Sequence, residues 1–136
     1  MKRARMPDHT NNEIGGEVAF LSAMRFDPGA ADATDAVARQ SSRPDFPSSP
    51  PGRAQRIEPA TNSPPVFSGC NDRPDISEGL AGDDLEFKQL KVPAELHIYA
   101  GSGHGFGLRA NDAQPAGKWI QRFEEWLAAS GFLKKT

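Results

Sequence analysis

Apolar and polar positions recur along this chain with two different periods, and each period predicts a different kind of element. In "GEVAFLSAMRF", residues 16–26, Val18, Leu21 and Met24 recur at helical spacing with Phe20 and Ala23 alongside. That pattern predicts a short helix with one buried face. In "AELHIYA" the period falls to two: Leu96, Ile98 and Ala100 alternate with Glu95, His97 and Tyr99, which predicts a strand, with Pro93 tolerated only at its entrance. "PVFSGC", residues 65–70, is a second short strand. Between the two strands, Asp75 and Glu78 have the spacing of a capping box and open a helix over 76–91. Trp119, Ile120, Phe123, Trp126 and Leu127 form one apolar stripe on a helix over 116–129. Gly131 serves as its stop, and Phe132 is placed to fold back on the last turn.

Residues 27–63 follow no such period. Seven of the chain's 12 prolines fall between Pro44 and Pro65, mixed with Ser, Arg and Gly. Proline fixes φ and removes a donor, and apolar residues are sparse here, so this region reads as an irregular or disordered linker that packs poorly. The organisation is therefore an irregular N-terminus over 1–15, a helix over 16–26, the linker over 27–63, and an α/β segment over 64–136. The fold class is α/β, a small parallel sheet with flanking helices.

Composition narrows the chemistry. A chain of 136 residues fits one ordinary domain. Its net charge of -2 gives no electrostatic footprint for nucleic acid or an anionic membrane surface. A single cysteine, Cys70, excludes an internal disulfide, and no Cys/His cluster has zinc spacing. No apolar run of signal-peptide or membrane-spanning length is present, so the chain as written is expected in the cytoplasm.

One stretch invites chemistry. "YAGSGHGFG" sets His104 among Gly101, Gly103, Gly105 and Gly107, directly after the alternating strand. Functional residues of an open α/β sheet gather in loops past the carboxyl ends of strands. Asp72 follows the first strand and His104 the second. Strands joined by a helical crossover are parallel, so these two loops should emerge on the same edge.

The words "PPVF", "NDRPDISEGLA", "FKQLKVPAELHIYAGSGHGFGLR" and "FEEWLAASGFL" resemble the C-terminal third of an α/β-hydrolase of the dienelactone-hydrolase and acetylxylan-esterase-like branch. The resemblance covers roughly residues 64–133 and implies a partial α/β-hydrolase fold. It implies that Asp72 and His104 occupy the acid and histidine positions of a nucleophile–acid–histidine triad, with Asp75 as a second carboxylate close by. It implies carboxylic-ester hydrolysis in intact relatives, on small esters or on acetylated xylan or a related polysaccharide, with no metal or organic cofactor.

The nucleophile departs from the family pattern of G-x-S-x-G-G. "NNEIGGE" resembles the right-hand end of that elbow, but Asn11 stands at its first glycine and Glu13 at its serine. Cys70 sits at a strand end rather than an elbow and reads as a structural cysteine. Ser68 and Ser102 lack an elbow, His97 lies within a strand as a packing or surface residue, and His9 carries no argument. Two functions stay open on these residues. One is a truncated or degenerate hydrolase, inactive alone; the other is a non-catalytic binding module built from the same segment. Oligomeric state is not legible.

Overall fold

Six consecutive residues, Val66–Asn71, are buried on both faces, the mark of a central strand in a sheet covered on two sides. The computed structural model describes residues 11–49, 57–103, 107–108 and 114–133. In chain order its elements are α1 (Asn11–Met24), β1 (Ser48–Ser49), β2 (Val66–Asn71), α2 (Pro74–Gln89), β3 (Ala94–Tyr99), a 3-10 turn (Pro115–Lys118) and α3 (Trp119–Ala129). The sheet order is β1-β2-β3 and both pairings are parallel. Ser48 lies opposite Phe67, and β2 and β3 run in register from Val66 and Ala94 to Asn71 and Tyr99. The parallel arrangement expected for the two late strands is therefore present.

Strand alternation separates two cores. Val66 points to one face, where it joins Phe20 of α1, Ile57, Phe87 of α2 and Val92. Phe67 points to the other, against Phe123 and Trp126 of α3, with ring centroids 5.1 and 5.7 Å away. Helices thus cover both faces of the sheet, α1 and α2 on one side and α3 on the other.

Several boundaries differ from those the sequence suggests. The first helix begins at Asn11, not at 16, so residues 11–15 are not irregular; residues 1–10 lie outside the described set. Among its described side chains, Phe20 and Ala23 are buried, while Val18, expected on the apolar stripe, is exposed. The capping box also fails. Helix α2 starts at Pro74, whose missing N–H costs nothing in a first turn. Asp75 lies inside that turn, where Arg73 engages its carboxylate through two hydrogen bonds of 3.1 and 2.6 Å.

Among the described residues of 27–63, regular structure is confined to the two residues of β1, followed in sequence by Pro50 and Pro51. Most of the described residues there are exposed, with a few well-packed exceptions. Pro47 and Ile57 are buried, and Phe46 sits 5.5–5.9 Å from Trp126 and Phe123 and 4.8 Å from Phe132. Proline depletes the hydrogen-bond ladder without preventing apolar burial, and a few well-placed rings suffice. Residues 27–42 close on themselves: Ser42 N–H donates to Asp27 O at 2.9 Å, and Asp27 N–H to Ser42 Oγ at 2.8 Å. The loop requires Gly29, with φ +83°, because a Cβ there would meet the Arg39 carbonyl oxygen at 2.6 Å.

Helices α2 and α3 end in the same way. Beyond α3, Phe132 N–H donates to Leu127 O at 2.9 Å and Gly131 N–H to Ala128 O at 3.2 Å, with Gly131 at φ +80°. Beyond α2, Val92 N–H donates to Phe87 O at 2.9 Å and Lys91 N–H to Lys88 O at 3.1 Å. This is the Schellman arrangement twice, with a lysine at φ +59° where glycine is the unstrained residue. Replacing Lys91 by glycine should stabilise the fold by about 1 kcal/mol, the lower end of the cost of a left-handed conformation for a residue with a Cβ. A urea midpoint that falls in Lys91→Gly would contradict this.

Candidate functional site

Asp72 is the first residue after β2, at its carboxyl end, and its carboxylate reaches across to the loop leaving β3. Its Oδ2 accepts the N–H of Gly101 at 3.1 Å. The approach is set locally. Asn71, fully buried, accepts the N–H of Arg73 on its Oδ1 at 3.1 Å, which bends the backbone around Asp72. The neighbouring carboxylate, Asp75, is instead held by Arg73. Of the two acids in "NDRPD", Asp72 is the one whose carboxylate bonds to the loop after β3 among the described residues.

That loop turns sharply. Gly101 has φ +66°, and Ser102 Oγ donates to Tyr99 O at 2.7 Å, closing the turn beyond the strand. Its hydroxyl is spent on backbone, so Ser102 is no candidate nucleophile. Gly107, at φ +50°, accepts the Trp119 indole N–H on its carbonyl oxygen at 2.9 Å. His104 lies outside the described residues.

The other sequence candidates separate by environment. Cys70 is fully buried, and burial, then the Asp72 charge, push its thiol up to about 11. At neutral pH it is a thiol, not a thiolate nucleophile. Ser68 is buried within β2. His97 is half-buried on β3; its Nε2 lies 2.7 Å from Glu95 Oε1, and its ring lies between Phe67 and Tyr99, centroids 5.3 and 6.0 Å away. It serves the aromatic layer under α3. Burial raises the Tyr99 phenol, Arg122 opposes that shift and Glu95 adds to it. Glu13, at the position where the resemblance places a nucleophile, lies within the helical stretch of α1 rather than on a turn preceding it. No cluster of metal-ligating side chains occurs among the described residues, and no helix there is long and apolar enough to cross a membrane.

Two contributors escaped sequence reasoning. The Gly101 amide carries no side-chain signal at all. Trp119 was legible only as part of the apolar stripe, because periodicity reports which face a ring occupies and nothing about where an indole N–H points.

No family model matches the chain, and no curated protein does. Among solved structures it is similar to the acetyl ester-xyloside bifunctional hydrolase from Caldicellulosiruptor lactoaceticus. The two are 26% identical with a TM-score of 0.71, over 88% of this chain and 55% of that one. The fold is hydrolase-like. The chain spans about half the length of that hydrolase.

Proposed function

We propose that this chain is a degenerate α/β-hydrolase segment that retains the acid and histidine positions of an ester hydrolase, Asp72 and His104, without a nucleophile. The observation that carries the reading is the Asp72–Gly101 hydrogen bond, which joins the carboxyl ends of two adjacent parallel strands where such a pair has to be assembled. The likeness to an acetyl ester-xyloside hydrolase supports ester chemistry, with acetylated xylan or a related polysaccharide as the substrate class of intact relatives.

In that reading Asp72 uses one oxygen on the Gly101 N–H and offers the other to the imidazole. The histidine takes a proton from a nucleophile and returns it to the leaving alcohol, while the carboxylate steadies the charged ring. Glu13 stands where a serine would present the hydroxyl to be activated. With no hydroxyl there, the pair has nothing to deprotonate, and no acyl intermediate forms that water could resolve. No metal or organic cofactor enters this scheme.

The purified chain, given short aryl esters such as p-nitrophenyl acetate, should release phenol no faster than a buffer blank. Losing the nucleophile of such a triad removes roughly six decades of rate. Turnover that disappears in His104→Ala would overturn the reading and point to a nucleophile supplied elsewhere in the chain.

A further inference from the structure

The two long strands of the sheet are buried to very different degrees. Every residue of β2 is buried, whereas every residue of β3 keeps part of its surface exposed, although the two run in register. β3 ends the sheet, so one of its edges faces no strand among the described residues. The pairing tells which backbone groups lie on that edge. Val66 N–H donates to Pro93 O at 2.9 Å, and successive residues of a strand turn their polar groups to opposite sides. Residues 93, 95, 97 and 99 therefore face β2, and the N–H and C=O groups of Ala94, Leu96 and Ile98 point outward. Among the described residues, one side chain reaches these six groups: Lys88 Nζ lies 3.4 Å from Ala94 O. No lysine or proline lies within β3 to blunt the edge, and Ile98 is 45% exposed.

We propose that β3 pairs with β3 of a second copy of this chain, antiparallel across a two-fold axis, making one sheet of two. This does not depend on the hydrolase reading. The register follows from the outward groups and the side chains together. With Leu96 opposite itself, Ala94 faces Ile98 of the second copy, and the outward groups of both strands bond to one another. On the α2 face, Leu96 then meets Leu96, and Ile98 meets Ala94. On the α3 face, Glu95 lies opposite His97 of the second copy, twice, an acceptor facing a ring that donates N–H. A slip of two residues one way would set Glu95 against Glu95; the other way would set His97 against His97. Like charges directly opposite destabilise a strand pair, so the edge complements itself in one register. An isologous contact of this kind closes at two chains.

The test is analytical ultracentrifugation of the whole chain. The wild type should pass from one chain to two as concentration rises, with no larger species. Ile98→Lys puts a charge on the paired edge and should weaken association by about tenfold, since each dimer carries the change twice. Leu85→Lys adds the same charge at an exposed position of α2 and should leave association unchanged. A wild type that stays monomeric up to millimolar concentration, species beyond two chains, or equal effects from the two lysines overturns the proposal. If Ile98→Lys does not fold, cross-linking decides. In a Cys70→Ala background, Leu96→Cys should oxidise to a disulfide-linked dimer, because directly opposed Cα atoms about 5.5 Å apart are within a disulfide's reach. Leu85→Cys should not cross-link, and equal behaviour of the two variants refutes the pairing. Amide exchange separates a second copy from coverage by the chain itself. The Leu96 and Ile98 amides should be protected in the dimer and exchange freely on dilution to single chains. Protection that survives dilution means that another part of the same chain covers the edge, and overturns the proposal.

Discussion

Replacing Phe67 by alanine should lower the free energy of unfolding by about 3–5 kcal/mol, the cost of deleting a fully enclosed aromatic ring. Phe67 is 1% exposed, and it is the β2 side chain on which the α3 layer converges. Its ring lies 5.1 Å from Phe123, 5.7 Å from Trp126 and 5.3 Å from His97. His97 belongs to β3, while Phe123 and Trp126 belong to α3 and stack on each other with centroids 6.0 Å apart, so the space left by removal of the ring closes only if two elements shift together. Domain stabilities run at about 0.05–0.15 kcal/mol per residue, so the loss is a large fraction of the whole. Urea unfolding of Phe67→Ala, compared with Val37→Ala, checks the assignment. Val37 is 77% exposed, and its truncation should change stability by no more than about 0.5 kcal/mol. Equal effects from the two substitutions would mean that the β2–α3 layer is not a core.

Cys70 should be almost inert toward thiol reagents in the folded chain and react freely in urea. An ordinary thiol with pKa near 8.5 is roughly one-quarter thiolate at pH 8. Cys70, pushed up to about 11, is thiolate roughly two orders of magnitude less often, and its complete burial slows reaction further. The same shift sets a pH dependence. The folded chain holds the Cys70 proton more tightly than the unfolded chain does. Its contribution is therefore full below about pH 8.5 and is lost as pH rises toward 11, because the unfolded state releases the proton first. Stability measured across that window should fall more steeply in the wild type than in Cys70→Ala, which lacks the group. Labelling in native buffer as fast as labelling in urea would show that β2 opens readily and that the thiol is not enclosed.

The contrast between Asp72 and Asp75 shows how far the sequence reaches into the site. "NDRPD" presents two carboxylates three residues apart, and no pattern ranks them. The backbone places them differently: Asp72 directly follows β2 and bonds to the loop from β3, and Asp75 lies in the first turn of α2 beside the guanidinium of Arg73. That difference depends on a contact between residues 29 positions apart. Local spacing carries no information about such a contact.

What the sequence determined by itself is the set of elements whose signals are local. The period-two run of β3, the apolar stripe of α3 with its Gly131 stop and Phe132 return, and the strand–helix–strand order that makes β2 and β3 parallel all follow from neighbours within a few residues. Tertiary structure decided the rest. It closed the turn beyond α2 with Lys91, a left-handed lysine with no stop signal, because Val92 could then pack with Phe87. It buried Ile57 and packed a half-buried Phe46 against α3 out of a proline-rich stretch, left Val18 exposed on an apolar helix face, and turned Trp119 from a packing ring into a hydrogen-bond donor for Gly107. Each of these outcomes is fixed by what lies opposite a residue in space. Periodicity gives a side chain its direction, and only the packed fold supplies what it meets there.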